Sequence, residues 1–217
     1  MKKFLGATIF AAMLTLSTTA QAAQNYINLP ATMLDDGPAV MVALDERKST
    51  RDFVERDLTN AQLGKILWAA NGLNRPGGKR VNPVANGVYS VDVYAVTRMG
   101  IYLYVPEFHA LKLIAEGDHR MTTTTGQSFV GKAAVNLVYV ENPDAWSTAK
   151  HTPPPRDRQI ACANVTVGAM VQSVALAAQT ENMGNCVRGS INRDSFAKLA
   201  GISAENILLA QSVGFTK

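Results

Sequence analysis

The chain has 217 residues, 47% of them hydrophobic and 18% charged, with a formal net charge of +4. That length and composition fit one globular domain with a substantial core, and they exclude a disordered or low-complexity protein. Two of the positive charges belong to Lys2 and Lys3 in the leader described next, which leaves +2, so the charge predicts no nucleic-acid partner.

Residues 1–22 have the pattern of a secretory signal peptide. Lys2 and Lys3 precede an apolar stretch over residues 4–16, and Ala20-Gln21-Ala22 has the small-x-small pattern of a signal-peptidase site. The apolar stretch is shorter than the roughly 20 residues of a membrane span. We therefore expect export to the periplasm or the medium, a mature domain over residues 23–217, and no membrane attachment after cleavage.

A dense basic segment follows the leader. Arg47-Lys48-Ser49-Thr50-Arg51 places three cations and two hydroxyls within five residues. Guanidinium groups match phosphate oxygens in pairs, and lysine and hydroxyl groups add further donors. This segment, residues 47–51, predicts a phosphate site, and a solvated charge run remains the alternative.

The clearest helix is predicted over residues 58–72. Thr59 caps it, Gln62 completes a capping box, and Gly72 ends it. Its apolar stripe, which should face the core, consists of Leu63, Ile66, Leu67 and Ala70.

Several shorter elements flank a hairpin. Residues 88–97 alternate as a strand, and a turn leads into a second strand over residues 101–105. Residues 111–116 are a candidate for a short helix. Residues 133–140 form an apolar run typical of a buried strand, and residues 207–213 predict the final strand.

Residues 160–180 carry no charge and are apolar on nearly every side. This pattern predicts a central helix packed on a sheet or on a partner subunit, with Gly184 as its terminator. The preceding residues 141–159 have no regular hydrophobic period. They could form a functional lid or an ordinary exposed loop, and the sequence does not decide between these two interpretations. If residues 160–180 are helical, Cys162 and Cys186 are too far apart for a disulfide with each other, and we expect two free thiols unless a second subunit supplies a partner.

A turn precedes the first strand of the hairpin. Pro83-Val84-Ala85-Asn86-Gly87 places small residues and exposed amides where a flat ligand could approach the main chain. Ordinary turns without a ligand have the same composition, so a purely structural turn is the alternative interpretation of this segment. The three histidines, His109, His119 and His151, show no metal-ligand spacing, so no metal site is expected.

The order of these segments resembles the nitroreductase family of flavin mononucleotide (FMN) enzymes over nearly the whole mature chain. The resemblance is nearest to the exported branch and to dehydrogenases that oxidise azolines in peptide natural products. The segments that carry it are residues 46–53 with an Arg-x-Ser-x-Arg-x-Phe pattern, 67–72 before the Pro83 turn, Tyr94 with the hairpin 100–104, 125–130, 182–189 and 210–217.

The resemblance implies an α+β fold with a mixed, mainly antiparallel central sheet flanked by helices, and a long buried helix at the core of a homodimer. It implies that FMN lies at the dimer interface, with Arg47, Lys48 and Ser49 on its phosphate and ribityl chain. Arg51 would be the catalytic cation, facing the pyrimidine edge of the ring, where negative charge builds on reduction.

Further cofactor contacts follow from the same resemblance. The backbone of the turn Pro83, Val84, Ala85 and Asn86, from the same or the partner subunit, would support the ring, and the Met183 and Gly184 amides would approach its N5 side. Arg188 and Lys217 are additional phosphate candidates, with ordinary exposed cations as the alternative. The family usually has serine at the position of Val84, so one side-chain hydrogen bond to the flavin is lost here.

The implied activity is a two-step oxidoreductase reaction. A small-molecule donor, NAD(P)H or another reductant, reduces the flavin and leaves, and an acceptor such as a nitroaromatic or quinone then takes the electrons. Two alternatives stay open: a flavin-dependent dehydrogenase or oxidase of a small heterocycle or peptide, and a non-catalytic exported binding protein on the same fold.

Overall fold

The computed structural model describes residues 25–34 and 37–217, so the predicted signal peptide lies outside the described residues. Four α-helices and nine strands are described, with short 3-10 turns between them. In chain order they are β1 (Tyr26–Asn28), α1 (Val40–Glu46), α2 (Asn60–Asn71), β2 (Leu73–Arg75), β3 (Lys79–Arg80), β4 (Val91–Val96), β5 (Gly100–Val105), β6 (Ala110–Glu116), β7 (Val135–Glu141), α3 (Arg156–Thr180), β8 (Met183–Arg188), α4 (Arg193–Ala200) and β9 (Ile207–Phe215).

Seven strands form one sheet in the order β1-β6-β5-β4-β7-β9-β8, and β2 pairs with β3 separately. Every described strand pair in the large sheet is antiparallel. One isolated parallel bridge, between Ser49 and Asn185, lies on the outer edge of β8. The predicted hairpin is confirmed, with Tyr94 opposite Leu103 and Val96 opposite Ile101. The expected α+β fold with a mainly antiparallel sheet is therefore confirmed.

Both faces of the sheet are covered, as the alternation along β4 shows. Val91, Val93 and Ala95 pack into the core beneath α2 and α3, while Tyr94 and Val96 pack into a second core with α4. Since β7 lies between β4 and β9, every residue of β7 is buried. The apolar run predicted as a buried strand is confirmed for this reason.

Helix α2 forms where its capping residues predicted it. The Thr59 hydroxyl accepts a hydrogen bond from the Gln62 backbone N–H, and the Gln62 side chain accepts one from the Thr59 N–H. The predicted apolar stripe lies in the core. Asn71, at the end of the helix, donates its side-chain amide to the Val91 carbonyl at 3.0 Å and so fixes α2 to β4.

Helix α3 begins at Arg156 and ends at Thr180, which confirms and extends the predicted central helix. One face, with Val167, Met170 and Val174, is buried in the core. The opposite face is exposed and includes Val165, which is 76% exposed. Of the described helices, α3 alone has the length and apolar composition of a membrane span. Core helices of soluble proteins can have the same length and composition. About a third of the apolar stretch of α3 is buried inside this chain.

The prediction of a short helix over residues 111–116 is wrong, because this segment is the strand β6. It pairs with β5 on one side and β1 on the other, with Leu111 opposite Tyr104. Leu, Lys, Ala and Glu favour helix as isolated residues, but strand propensity is decided by the neighbours a segment packs against. Here two neighbouring strands decide it.

The expectation that Gly184 ends the long helix is also wrong. The helix is capped at Glu181, and Asn182 adopts the left-handed conformation that reverses the chain, with φ 53°. Gly184 lies instead inside β8, opposite Gly214 of β9.

Residues 142–155, which follow β7, are anchored at both ends. Trp146 is buried within a short 3-10 turn. Arg156, the first residue of α3, forms a bidentate ion pair with the buried carboxylate of Glu141. Cys162 and Cys186 are free thiols, on α3 and β8 respectively.

His109 attaches residues 25–34, which we call the N-terminal strap, to the sheet. Its Nε2 donates to the Pro30 carbonyl at 3.0 Å, and its Nδ1 accepts from the Tyr104 hydroxyl at 2.8 Å. The Leu29 N–H donates to the His109 carbonyl at 3.0 Å. Burial lowers the pKa of His109, so its neutral form is the one that the folded protein favours.

This arrangement predicts a loss of stability in mild acid. Because the folded pKa of His109 lies below the unfolded value of about 6.5, the unfolded state binds more protons as the pH falls past that value. The free energy of unfolding should therefore drop more steeply between about pH 7 and about pH 5 in the native protein than in His109→Asn. Asparagine tolerates the left-handed backbone at this position, where φ is 46°. Urea titrations at several pH values measure the two slopes, and parallel slopes would contradict the prediction.

Candidate functional site

The basic segment runs along the edge of the sheet. Arg47 caps the end of α1, its N–H donating to the Ala43 carbonyl. Two residues later Ser49 forms the parallel bridge with Asn185, and the Thr50 N–H donates to the Asn185 carbonyl at 2.8 Å. The backbone is therefore fixed to β8, and the side chains are free to face a ligand.

Within the part of the chain that the structure describes, the cations of this segment have no acidic partners. Among the described residues, no ion pair involves Arg47, Lys48 or Arg51. The Arg51 guanidinium lies 5.9 Å from the centre of the Phe129 ring. A cavity of about 670 Å³ opens beside Lys48 and Arg51, and Arg47 is not part of its lining, which consists of Lys48, Ser49, Thr50, Arg51, Asp52, Thr216 and Lys217. We call it the basic cavity.

A second cavity, of about 310 Å³, adjoins the basic cavity and shares Arg51, Asp52 and Lys217 with it. It adds Phe129 and Lys132, which the sequence reasoning did not single out. Phe129 does belong to the segment 125–130 that carried the family resemblance, which was the available signal. Lys217 thus lies beside the basic segment, as expected for a phosphate contact.

Gly184 lies against the basic segment, and its lack of a side chain is required there. A Cβ atom at this position would lie 2.8 Å from the Thr50 Cβ and 2.6 Å from the Thr216 Cγ2. Such distances are shorter than real contacts allow, so β8, the basic segment and the end of β9 can meet only at a glycine. Met183 beside it is buried in the core, so only its backbone is available to a ligand.

The turn at Pro83 lies in a different part of the molecule. Pro83, Val84 and Ala85 line a cavity of about 600 Å³ against the exposed face of α3, together with Val165. This turn cavity has no residue in common with the basic cavity. Asn86 takes the left-handed conformation, with φ 55°. One chain therefore does not bring the two predicted halves of the site together.

Asn82 holds this turn in place, a role that the sequence reasoning missed. Its buried side-chain amide donates to the carbonyls of Ala69 and Ala70 at 2.7 and 2.8 Å, at the end of α2. Its oxygen accepts from the Ser173 hydroxyl of α3 at 2.6 Å. The turn is thus fixed relative to both helices.

The expected phosphate role of Arg188 does not fit the structure. Its guanidinium is buried and donates to Thr123, Ser190, Asn136 and Ser212, so every N–H has a partner. Burial lowers the pKa of Arg188 to about 10. A side chain with no free donor cannot hold a phosphate, so we assign Arg188 to the core of the sheet.

The chemistry of the basic cavity suits an anion on a polar stem. Lys48, Arg51 and Lys217 supply unpaired charge, the adjoining hydroxyls supply neutral donors, and Asp52 is the only acidic residue in the lining. Charge-assisted hydrogen bonds of this kind are what proteins use for phosphate. The residues present therefore fit the phosphate and ribityl chain of FMN. In residues 25–34 and 37–217, no cluster of His, Cys, Asp and Glu side chains is suited to a metal.

Comparison with known proteins identifies the family of this chain. The model of the nitroreductase family matches residues 44–215. A Methanocaldococcus jannaschii protein named as a candidate nitroreductase is 26% identical over 175 residues, which cover 76% of this chain and 86% of that protein.

Many solved structures are similar to this chain, among them two candidate nitroreductases. A candidate nitroreductase from Ralstonia eutropha JMP134 superposes with a TM-score of 0.79 at 34% identity, covering 89% of this chain and 90% of that one. A candidate nitroreductase from Desulfovibrio desulfuricans, solved in complex with FMN, has a TM-score of 0.57 at 15% identity and covers 82% of this chain and 87% of that one. At that identity the second likeness concerns the fold.

Proposed function

The chain belongs to the nitroreductase family, and we propose that it is an FMN-dependent oxidoreductase that passes electrons from a reduced donor to a small acceptor. NAD(P)H or another small reductant is the proposed donor, and a nitroaromatic or quinone is the proposed acceptor. Donor and acceptor would use the same site in turn. The family relationship supports a flavin oxidoreductase in general, and the finer assignment is our proposal.

The observation that carries the proposal is the set of unpaired cations around the basic cavity. Lys48, Arg51 and Lys217 are exposed, and none of them forms an ion pair among the described residues. Three cations and one carboxylate, Asp52, line the basic cavity, so its lining carries a net positive charge that favours an anion. The solved FMN complex of a protein with this fold supports FMN as that anion.

Each residue then has a defined task. Lys48 and Lys217 would hold the phosphate, and Ser49 would hydrogen-bond the ribityl chain. FMN, when bound, supplies the two-electron redox chemistry. Arg51 would place a fixed positive charge beside the pyrimidine edge of the ring and so stabilise negative charge there.

A homodimer would complete the site. The turn of Pro83, Val84 and Ala85 lies apart from the basic cavity of its own chain, against the exposed face of α3. Pairing two copies through α3 would cover that face, and the turn of one copy could then approach the basic cavity of the other. Helix α1 adds further apolar surface, since Val40, Met41 and Leu44 are exposed.

Replacing Lys48 tests the phosphate assignment. Lys48→Ala should weaken FMN binding by about 10- to 100-fold, the usual loss for a charge-assisted hydrogen bond, and leave riboflavin binding unchanged because riboflavin has no phosphate. Titration of the apoprotein, followed by flavin fluorescence and by absorbance near ~450 nm, measures both affinities.

Lys79→Ala is the matched control, because Lys79 is an exposed lysine on β3, outside the basic cavity. Equal losses of affinity for FMN and for riboflavin in Lys48→Ala, or a native protein that does not bind FMN, would contradict the phosphate assignment. Bleaching by NADPH under nitrogen, with recovery on addition of a quinone, separates an electron-transfer enzyme from a protein that only binds flavin.

Replacing Val165 tests the dimer. Val165→Glu would place a carboxylate on the face of α3 that the second copy should cover, so the protein should fall from the mass of two chains to that of one in light scattering. Phe108→Glu is the control, because Phe108 is 74% exposed, much as Val165 is at 76%, and lies outside α3. The proposed interface would be contradicted if the native protein has the mass of one chain, or if Val165→Glu keeps the mass of two chains.

We also propose that the chain is exported and cleaved after Ala22. Ala22→Arg should block cleavage, because signal peptidase requires a small residue there, while Gln21→Arg should be tolerated at the neighbouring position. Mass spectrometry of the periplasmic fraction of an expressing bacterium reads the N-terminus directly. Finding the uncleaved native chain in the cytoplasm would refute export.

A further inference from the structure

A separate cavity lies between the β4–β5 turn and the start of α2. Its floor is formed by the apolar side chains of Leu63, Leu111 and Val135 together with Tyr102, and its rim carries Asp57 and Arg98. We call it the hairpin cavity. It shares no residue with the basic cavity or with the turn cavity, so neither FMN nor the proposed dimer contact at α3 accounts for it.

The size of the hairpin cavity limits its occupant. Its volume is about 260 Å³. An engineered apolar cavity of about 150 Å³ holds benzene, and sites for drug-sized ligands begin near 300 Å³. A single ring with a small substituent therefore fits, and a nucleotide or a fused tricyclic ring does not.

The charges of the cavity select a neutral ligand. Asp57 and Arg98 are the only charged residues in its lining, and they pair with each other at 3.0 Å. The pair has no net charge, so neither an anion nor a cation would gain a free counter-charge in exchange for its lost hydration. A neutral molecule can enter beneath it.

Tyr102 supplies a polar group inside the cavity. Its side chain is only 8% exposed, yet its hydroxyl has no hydrogen-bond partner among the described residues. This hydroxyl is not among the enclosed unpaired polar atoms of the described residues, so it is accessible from the cavity and can hydrogen-bond to a molecule that enters.

We propose that the hairpin cavity binds a small, neutral, single-ring molecule whose polar substituent hydrogen-bonds to the Tyr102 hydroxyl. The ring lies on Leu63, Leu111 and Val135, and the Asp57–Arg98 ion pair covers the entrance. Because no cofactor contact takes part, this site does not depend on the proposed flavin chemistry.

Phenol and toluene are the probes that test the site, since they differ by one hydroxyl group. Phenol should bind the purified protein saturably, and Tyr102→Phe should weaken phenol binding about tenfold while changing toluene binding by less than about twofold. Calorimetry and ligand-detected NMR measure both affinities. Equal phenol affinity in Tyr102→Phe, or no saturable phenol binding, would overturn the proposal.

A second variant locates the binding, because phenol could also bind elsewhere on the protein. Ile27 lines the cavity from β1 and is 38% exposed, so Ile27→Trp can occupy the space without disturbing the core. It should abolish phenol and toluene binding. Val187→Trp is the matched control, at a strand residue that is 39% exposed and lies outside this cavity.

Charged probes test the neutral preference. Benzoate and benzylamine should each bind at least tenfold more weakly than phenol, because each would bury a charge against an apolar floor with no free counter-charge. Benzoate binding as tight as that of phenol, or phenol binding that survives in Ile27→Trp, would show that the assignment is wrong.

Discussion

The geometry of the candidate site depends on Asn185, which links the basic segment to the core. Its carbonyl accepts the Thr50 N–H, and its side-chain oxygen accepts from Gln211 Nε2 at 3.1 Å. Gln211 in turn donates to the Val171 carbonyl of α3 and accepts from the Tyr139 hydroxyl. Asn185 is 2% exposed, and hydrogen bonds in such a low-dielectric interior resist distortion. The position of the cations relative to the sheet and to α3 is therefore set from inside the fold.

Arginine residues on one sheet edge are used in two opposite ways. Arg188 is buried and satisfied by neutral oxygens of Thr123, Asn136 and Ser212, which hold strands β7, β8 and β9 to the loop before β7. Arg51, on the adjoining segment, is exposed and has no ion pair among the described residues. The first side chain stabilises the scaffold, and the second keeps its donors free. Stability given up at such unpaired positions is a common requirement of binding sites.

Local signals predicted the parts of this structure that local interactions determine. The capping box of Thr59 and Gln62 and the alternation along β4 need only neighbouring residues, and both were read from the sequence. The errors have a different origin. Strand β6 is decided by its partners β5 and β1, and the role of Arg188 depends on acceptors as many as 65 residues away. A glycine after an apolar helical run predicts a helix end, and nothing in the sequence around Gly184 indicates that Thr50 and Thr216 pack against it.

The two faces of α3 explain why a single chain forms only part of the proposed site. Val167 and Met170 on one face complete the core, while Val165 on the other forms the turn cavity with Pro83 and Val84. Asn82 fixes that turn to α3 through Ser173, and Gln211 fixes α3 to Asn185 beside the basic segment. The turn and the cations are thus held on one rigid element but are directed to different surfaces. Because these hydrogen bonds hold the turn away from the basic cavity of its own chain, the proposed dimer through the exposed face of α3 is the arrangement that would join the two halves.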